Sequence, residues 1–406
     1  MKNVLLIGNG FDLYHKFPTK YADFLHVVHF LKNNKNAKNE TVGSVFSNRS
    51  LQIADPFIEV CYDAHKKIYD STKIDQKNID EIITLINQNI WFNYLYKMLN
   101  RDVGWIDFEK EIGFVLKCFS LAFKKSPVLT FNSKEHYAKY VIDAFEFFVD
   151  KFASKNMMTL NACRVSGDYC EEKPMGSQNQ VINKMKVVEK LYNELRSLSK
   201  ALSLYLKCFV EGPCELMSRD DAYERLKFFS YIERAITFNY TNTYERFYFN
   251  NVAFHIHGSV DDEIVLGVNS DEADKLENID TTLVCFKKYF QRTLFETDIQ
   301  YMRWLNETVD LGTQYRLITM GHSLDVTDKD IIEELFRCAS EIIVLYHNLE
   351  AKKTYITNLI EIFGKDGFDA LKNNKKLTFT SLNQDLSFLA ELLGQESLID
   401  FSKMIL

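Results

Sequence analysis

The chain has 406 residues, a net charge of −7, 46% hydrophobic and 26% charged side chains. That balance is ordinary for a globular protein and offers no broad basic face to a nucleic acid. No stretch approaches the roughly 20 apolar residues of a membrane helix, and the eight cysteines contain no CxxC pair, so reduced thiols in a cytoplasmic protein are expected.

A chain of this length exceeds one compact core, so two lobes, or one domain with a large insertion, are expected. The first element is Val4–Ile7, an apolar run too short for a signal-peptide core. It reads as a buried parallel strand entering the glycine turn Gly8–Asn9–Gly10–Phe11–Asp12. Thr19 is the expected N-cap of the helix that follows. From about residue 33 to 230 helical periodicity dominates, with helices expected near 54–70, 78–100, 105–125, 133–155, 181–210 and 218–229. The polar stretch 161–180, with Gly167, Pro174 and Gly176, reads as a long loop. Strands return at 235–239, 252–257, 264–268, 316–320, 341–346 and 376–381, with an aromatic-rich helical stretch at 283–311. This alternation predicts a parallel α/β sheet. The expected layout is a nucleotide-binding unit from residues 1–32 and 231–406, interrupted by a helical insertion or lid at 33–230.

Five motifs can carry chemistry. Glycines in Gly8–Asn9–Gly10–Phe11 would let backbone amides approach a phosphate, although a plain strand–turn–helix reads the same way. Thr237–Phe238–Asn239–Tyr240–Thr241 sits at the carboxyl end of a buried strand, where open α/β sheets bind ligands. Asn239 offers a donor and an acceptor, and could hold a water or sugar hydroxyl or cap the helix beginning near Thr243. In His255–Ile256–His257–Gly258, strand alternation puts both histidines on one face. They read as a metal pair assisted by Asp261 and Asp262, as a single catalytic His257, or as structural residues. In Gly321–His322–Ser323–Leu324–Asp325–Val326–Thr327–Asp328, Ser323 could meet a phosphate or ribose, and Asp325 or Asp328 could accept from ribose hydroxyls. Helix capping is the competing role for Thr327 or Asp328. In Trp105–Ile106–Asp107–Phe108–Glu109 the two acids are not on one helical face, and Asp107 reads as a cap. His26 and His29 are read as surface or core residues.

Taken together, Gly8–Leu13, Trp105–Glu109, Phe238–Thr241, His255–Gly258 and Gly321–Ser323 resemble the AbiH abortive-infection family, over residues 4 to about 348. The order of Gly8–Asn9–Gly10, Thr237–Phe238–Asn239, His257–Gly258 and Gly321–His322–Ser323–Leu324 is also similar to that of sirtuins. The resemblance implies a sirtuin-like Rossmann site for NAD, with Asn239 and His257 acting at the nicotinamide ribose and Asp12 stabilising positive charge. Gly8, Asn9, Gly10, Phe11, Thr237, Gly321, Ser323 and Asp325 would bind the nucleotide, with no metal. Position 241 is Thr where sirtuins place Asp, and their zinc-binding CxxC pairs are missing, so protein deacetylation is not expected. The implied role is an anti-phage effector that hydrolyses NAD to nicotinamide and ADP-ribose in the cytoplasm. Its expected partners are NAD or a related adenine nucleotide, with a homo-oligomer and a phage-derived trigger left open. A non-catalytic NAD or ADP-ribose sensor is one alternative, and a metal-dependent phosphoesterase or nuclease using the His-x-His pair is another.

Overall fold

A computed structural model describes residues 1–34, 41–100, 106–122, 128–130, 162–164, 183–218, 227–248, 253–269, 281–382 and 392–393. Its strands are β1 (Lys2–Ile7), β2 (Val128–Thr130), β3 (Ala162–Arg164), β4 (Arg234–Thr237), β5 (Phe254–His255), β6 (Tyr315–Met320), β7 (Glu341–Tyr346) and β8 (Leu377–Ser381). β2 and β3 form a small antiparallel pair that the sequence did not announce. The other six make one parallel sheet in the order β5-β4-β1-β6-β7-β8.

This is the doubly wound Rossmann order: the chain winds outward from β1 in one direction, then returns and winds in the other from β6. Leu6 pairs with Ile236 on one side and Thr319 on the other, which fixes β1 at the centre. A strand buried on both faces needs a continuous apolar run, and Val4–Leu5–Leu6–Ile7 supplies it.

Alternation along β1 sends successive side chains to opposite layers. Val4 and Leu6 join a core with Ile236, Leu317 and Val344, closed by helices Ile299–Asp310, Lys329–Cys338 and Leu349–Asn373. Leu5 and Ile7 join a second core with Phe24, Trp91, Leu95, Leu198 and Tyr205. Those residues come from helices Tyr21–Asn33, Ile90–Leu99 and Lys184–Leu206, which lie between β1 and β4 in the chain. Each large apolar side chain buried there stabilises by about 1.5–3 kcal/mol. One continuous core therefore binds the sheet to the helical segment.

Several local expectations need correction. The expected helix at 78–100 is two helices, Gln76–Ile86 and Ile90–Leu99. Gln88 between them has φ 63°, and the Asn89 side chain caps the second helix by accepting from the Phe92 amide. Lys20, not Thr19, is the N-cap of Tyr21–Asn33, and the Thr19 hydroxyl instead donates to Asn9. Residues 264–268 form no strand of the sheet, and Val268 makes only a bridge to Lys287. The edge strand expected at 252–257 is confined to Phe254–His255. The helix expected at 133–155 lies outside the described residues, as does most of the 161–180 loop and of the 218–229 helix. The long helix Lys184–Leu206 continues through a π turn, Lys207–Glu211.

Candidate active site

The carboxyl ends of β1, β4, β5 and β6 lie on one edge of the sheet, beside the switch between β1 and β6. Every motif singled out after a strand reaches that edge. The structure then divides them.

The glycines solve a packing problem. A Cβ on Gly8 would lie 2.5 Å from the His322 Cα, and one on Gly10 would lie 2.7 Å from the Gly321 Cα. Gly321 has φ +72°, a conformation that favours glycine, and its own Cβ would strike the Phe11 amide nitrogen at 2.2 Å. The Gly8, Gly10 and Phe11 amides donate to the carbonyls of Met320, Gly321 and Gly8. The expected phosphate cradle thus uses two of these amides to tie the two loops together and the Phe11 amide to close its own turn. Phe11 is fully buried against Phe229, Tyr244 and Tyr248, so it belongs to the core.

One cluster forms around Asp12, which is 1% exposed. Its Oδ2 accepts from the Thr241 hydroxyl at 2.6 Å, while its Oδ1 is buried without a partner. Burial pushes the carboxyl up to about 6, against hydrogen bonds from Thr241, Thr243 and Asn239. Asn239 Oδ1 is likewise buried and unpartnered. The Thr237 hydroxyl accepts the Asn239 amide at 3.0 Å, so Thr237 shapes the turn instead of facing a ligand. Glu245 and Glu211 raise the local negative charge. Burial holds Glu211 up at about 7, and the π turn delivers it to the Asn242 amide at 2.7 Å. Such π turns recur at functional sites.

His255 belongs with this cluster. Its Nδ1 faces the Asn239 carbonyl at 3.0 Å and its Nε2 faces Glu245 at 2.9 Å. Burial opposes the charged form, but two oxygen acceptors around one ring outweigh it and raise the imidazole above its ordinary value. The same pair draws the Glu245 carboxyl down.

A second cluster forms around Asp328, with His257 on one side. His257 Nε2 is 3.3 Å from Asp328 Oδ1 without hydrogen-bond alignment. Burial first, and then the Lys288 charge, pushes the His257 imidazole down to about 4 against the pull of Asp328. Lys288 Nζ bridges Asp328 at 2.8 Å and Glu109 at 2.6 Å. Burial opposes the ionisation of Asp328, yet Lys288 and His257 hold it well below the usual carboxylate range. Glu109, buried beside the same ammonium, is pushed up to about 7.

The segment after β4 separates the two clusters by alternation. Asn239 and Thr241 turn to Asp12, while the Phe238 ring packs against His257 and His322 at 5.1 and 4.3 Å. The two histidines of the His-x-His motif therefore have different partners, because the strand ends at His255 and Ile256–His257 begin a turn. Asp261 and Asp262 are engaged by Asn242 and Ser259. Among the described residues no group of three or more His, Cys, Asp or Glu side chains converges as a metal site requires.

At the β6 end, Ser323 is exposed and its carbonyl accepts from Asn358 at 2.9 Å. Asp325 accepts the Thr327 amide at 3.1 Å and lies 3.5 Å from Lys110. Asp325 thus caps the short turn Val326–Asp328, while Asp328 is the N-cap residue of Lys329–Cys338 by position but makes no cap hydrogen bond with its side chain, which turns to the ion pair. Asp107 caps its helix through the Glu109 and Lys110 amides, as its position suggested. Trp105 lies outside the described residues.

Lys288, Glu211, Glu245 and the pairing of Glu109 were missed by reading motifs. Lys288 and Glu245 sit in helices with no flanking signature, and only the fold brings them to the sheet edge.

Residues 4–346 match the family model described as Bacteriophage abortive infection AbiH, so the chain belongs to that family and its role is in anti-phage abortive infection. No curated protein and no solved structure matches the chain.

Proposed function

We propose that this AbiH-family chain binds NAD at the carboxyl edge of β1, β4 and β5 and hydrolyses it to nicotinamide and ADP-ribose. The observation that carries the reading is the pair of buried, unpartnered oxygens on Asp12 and Asn239. Buried polar atoms without partners are rare and costly, and ribose hydroxyls are donors that would satisfy both. Asp12 also restores a carboxylate beside Thr241, the position where the sirtuin pattern has Asp.

The charge of the cluster favours this end of the substrate. Asp12, Glu211 and Glu245 couple to one another electrostatically, and His255 is paired with Glu245. Such a field stabilises the nicotinamide-ribosyl cation and disfavours a phosphate. In the reaction the bond between the ribose anomeric carbon and the nicotinamide nitrogen breaks, and its electron pair leaves with nicotinamide. Asn239 orients the water that adds to that carbon. His257, neutral and buried, accepts the proton that the water loses. The phosphates then lie toward Asn9, Gly321 and Ser323, where Asn9 and Ser323 are exposed.

Incubation of the protein with NAD, followed by chromatography of nicotinamide, tests the reading. Release that vanishes in Asn239→Ala and His257→Ala is expected, and undiminished release in both variants would overturn the mechanism. A sensor without turnover has one observation in its favour: Asp12 and His257 are 1% and 3% exposed, as in a closed state. Thermal stabilisation by NAD without consumption distinguishes it.

A further inference from the structure

Lys288 has no part in the steps above, yet its side chain is 0% exposed. An ammonium so placed must be paired, and it sits between two carboxylates, 2.6 Å from Glu109 and 2.8 Å from Asp328. Asp328 is shared further. His257 Nε2 lies 3.3 Å from its Oδ1 and His322 Nε2 lies 3.5 Å from its Oδ2. His322 Nδ1 accepts the Leu324 amide at 2.9 Å, which puts the proton of neutral His322 on Nε2, facing Asp328.

One carboxylate therefore meets an ammonium and two imidazoles. The ammonium is closest and permanently charged, so it has first claim on Asp328. The groups that face His257 are Asp328 after β6, Lys288 and Arg292 from the helix Lys288–Phe295, and the Phe238 ring after β4. His322 lies across Asp328, and Glu109 acts from behind Lys288. Arg292 is itself bound to Asp330.

We propose that Lys288 and Glu109 are positioning residues for His257: Glu109 pins the ammonium, the ammonium occupies Asp328, and His257 keeps a free nitrogen for the proton. The proposal rests on His257 being the base in NAD cleavage. It makes the segment between β1 and β4 part of the site, because Glu109 is carried by the helix Phe108–Ala122.

The test is Lys288→Met in the full chain, with Lys288→Met/Glu109→Gln as a charge-balanced variant should the single change prevent folding. Histidine-labelled protein is titrated by NMR, with His257 assigned by the resonance lost in His257→Gln. In the wild type His257 stays neutral down to about pH 4. In either variant Asp328 takes His257 as its cation, so the midpoint moves up by at least about one pH unit. The acid limb of nicotinamide release moves with it, at little change in KM. An unmoved His257 midpoint in a folded variant overturns the proposal. A shifted midpoint in a protein whose wild type releases no nicotinamide supports the positioning role and rejects the cleavage reading instead.

Discussion

The Asp12 carboxylate and the Thr241 hydroxyl, far apart in sequence, meet at 2.6 Å on the buried edge of the sheet. Thr241 gives the short hydrogen bond that offsets the burial of Asp12, with weaker help from Thr243 and Asn239, while Asp12 Oδ1 is left without a partner. The cost appears as a carboxyl raised from 3.8 to about 6. A rise of that size corresponds to about 3 kcal/mol. Because the folded value is the higher one, the favourable contribution is present in full below 3.8 and is lost as pH rises through about 6. Asp12→Asn should therefore stabilise the protein above pH 6 by roughly 1–3 kcal/mol, with no gain near pH 4, and should abolish NAD cleavage. Denaturant melts at the two pH values measure this, and an equal effect at both would show that Asp12 is not strained by its charge.

Asn239 is held chiefly by its backbone, its side chain reaching only Asp12. Its amide donates to Thr237 and its carbonyl accepts from His255. Asn239→Ala keeps both bonds, so melting should change by less than about 1 kcal/mol. Nicotinamide release should fall on the order of 100-fold or more if the side chain orients water in the transition state. A large loss of stability with activity intact would assign Asn239 to the fold.

The two histidines of one motif should titrate in opposite directions. His255, between Glu245 and a carbonyl, is raised above its ordinary 6.5, while His257 is pushed down to about 4. For His255 the contribution to stability is complete below 6.5 and is lost as pH rises through its folded value. Glu245→Gln should thus destabilise more at pH 6 than at pH 9 and bring the His255 midpoint down. Proton-detected histidine titrations read both. A common midpoint for His255 and His257 would contradict their separate surroundings.

The sheet was legible because its central strands β1 and β6 are buried runs closed by glycine, and β1, β6, β7 and β8 fall where the pattern puts them. The residues on the sheet edge were legible too, since Asp12, Asn239, His257 and Gly321 each lie within a few residues of a strand's carboxyl end. Their grouping was not. Alternation of Phe238, Asn239, Tyr240 and Thr241 divides them between two clusters, and β5 ends at His255, two residues earlier than expected, so that His257 lies in a turn and not on the strand face of His255. The ion pair of Glu109 and Lys288 joins positions 179 apart, and no local pattern encodes a contact of that span. The strand expected at 264–268 failed for a related reason: its apolar side chains are buried against the helical segment, so burial alone mimicked a strand.

The glycines at the β1–β6 switch make the final prediction, because packing and ligand binding assign them different costs. A phosphate-cradling glycine replaced by alanine would leave the free protein stable and weaken only the nucleotide. Here a Cβ at Gly10 meets the Gly321 Cα at 2.7 Å and its carbonyl oxygen at 2.8 Å, and both are backbone atoms that cannot rotate away. A Cβ at Gly321 meets the Phe11 nitrogen at 2.2 Å and must also adopt φ +72°. Overpacking and a left-handed backbone each cost about 1–3 kcal/mol. Gly10→Ala should therefore destabilise the free protein by roughly 2 kcal/mol, and Gly321→Ala by more. By contrast Gly312→Ala, where φ is +61° but a Cβ meets nothing within 4 Å, should lose only the strain of its backbone, roughly 1 kcal/mol. Chemical denaturation without nucleotide ranks the three variants. If Gly10→Ala melts like the wild type and loses only NAD affinity, the loop has opened in solution and its amides are free for a phosphate after all.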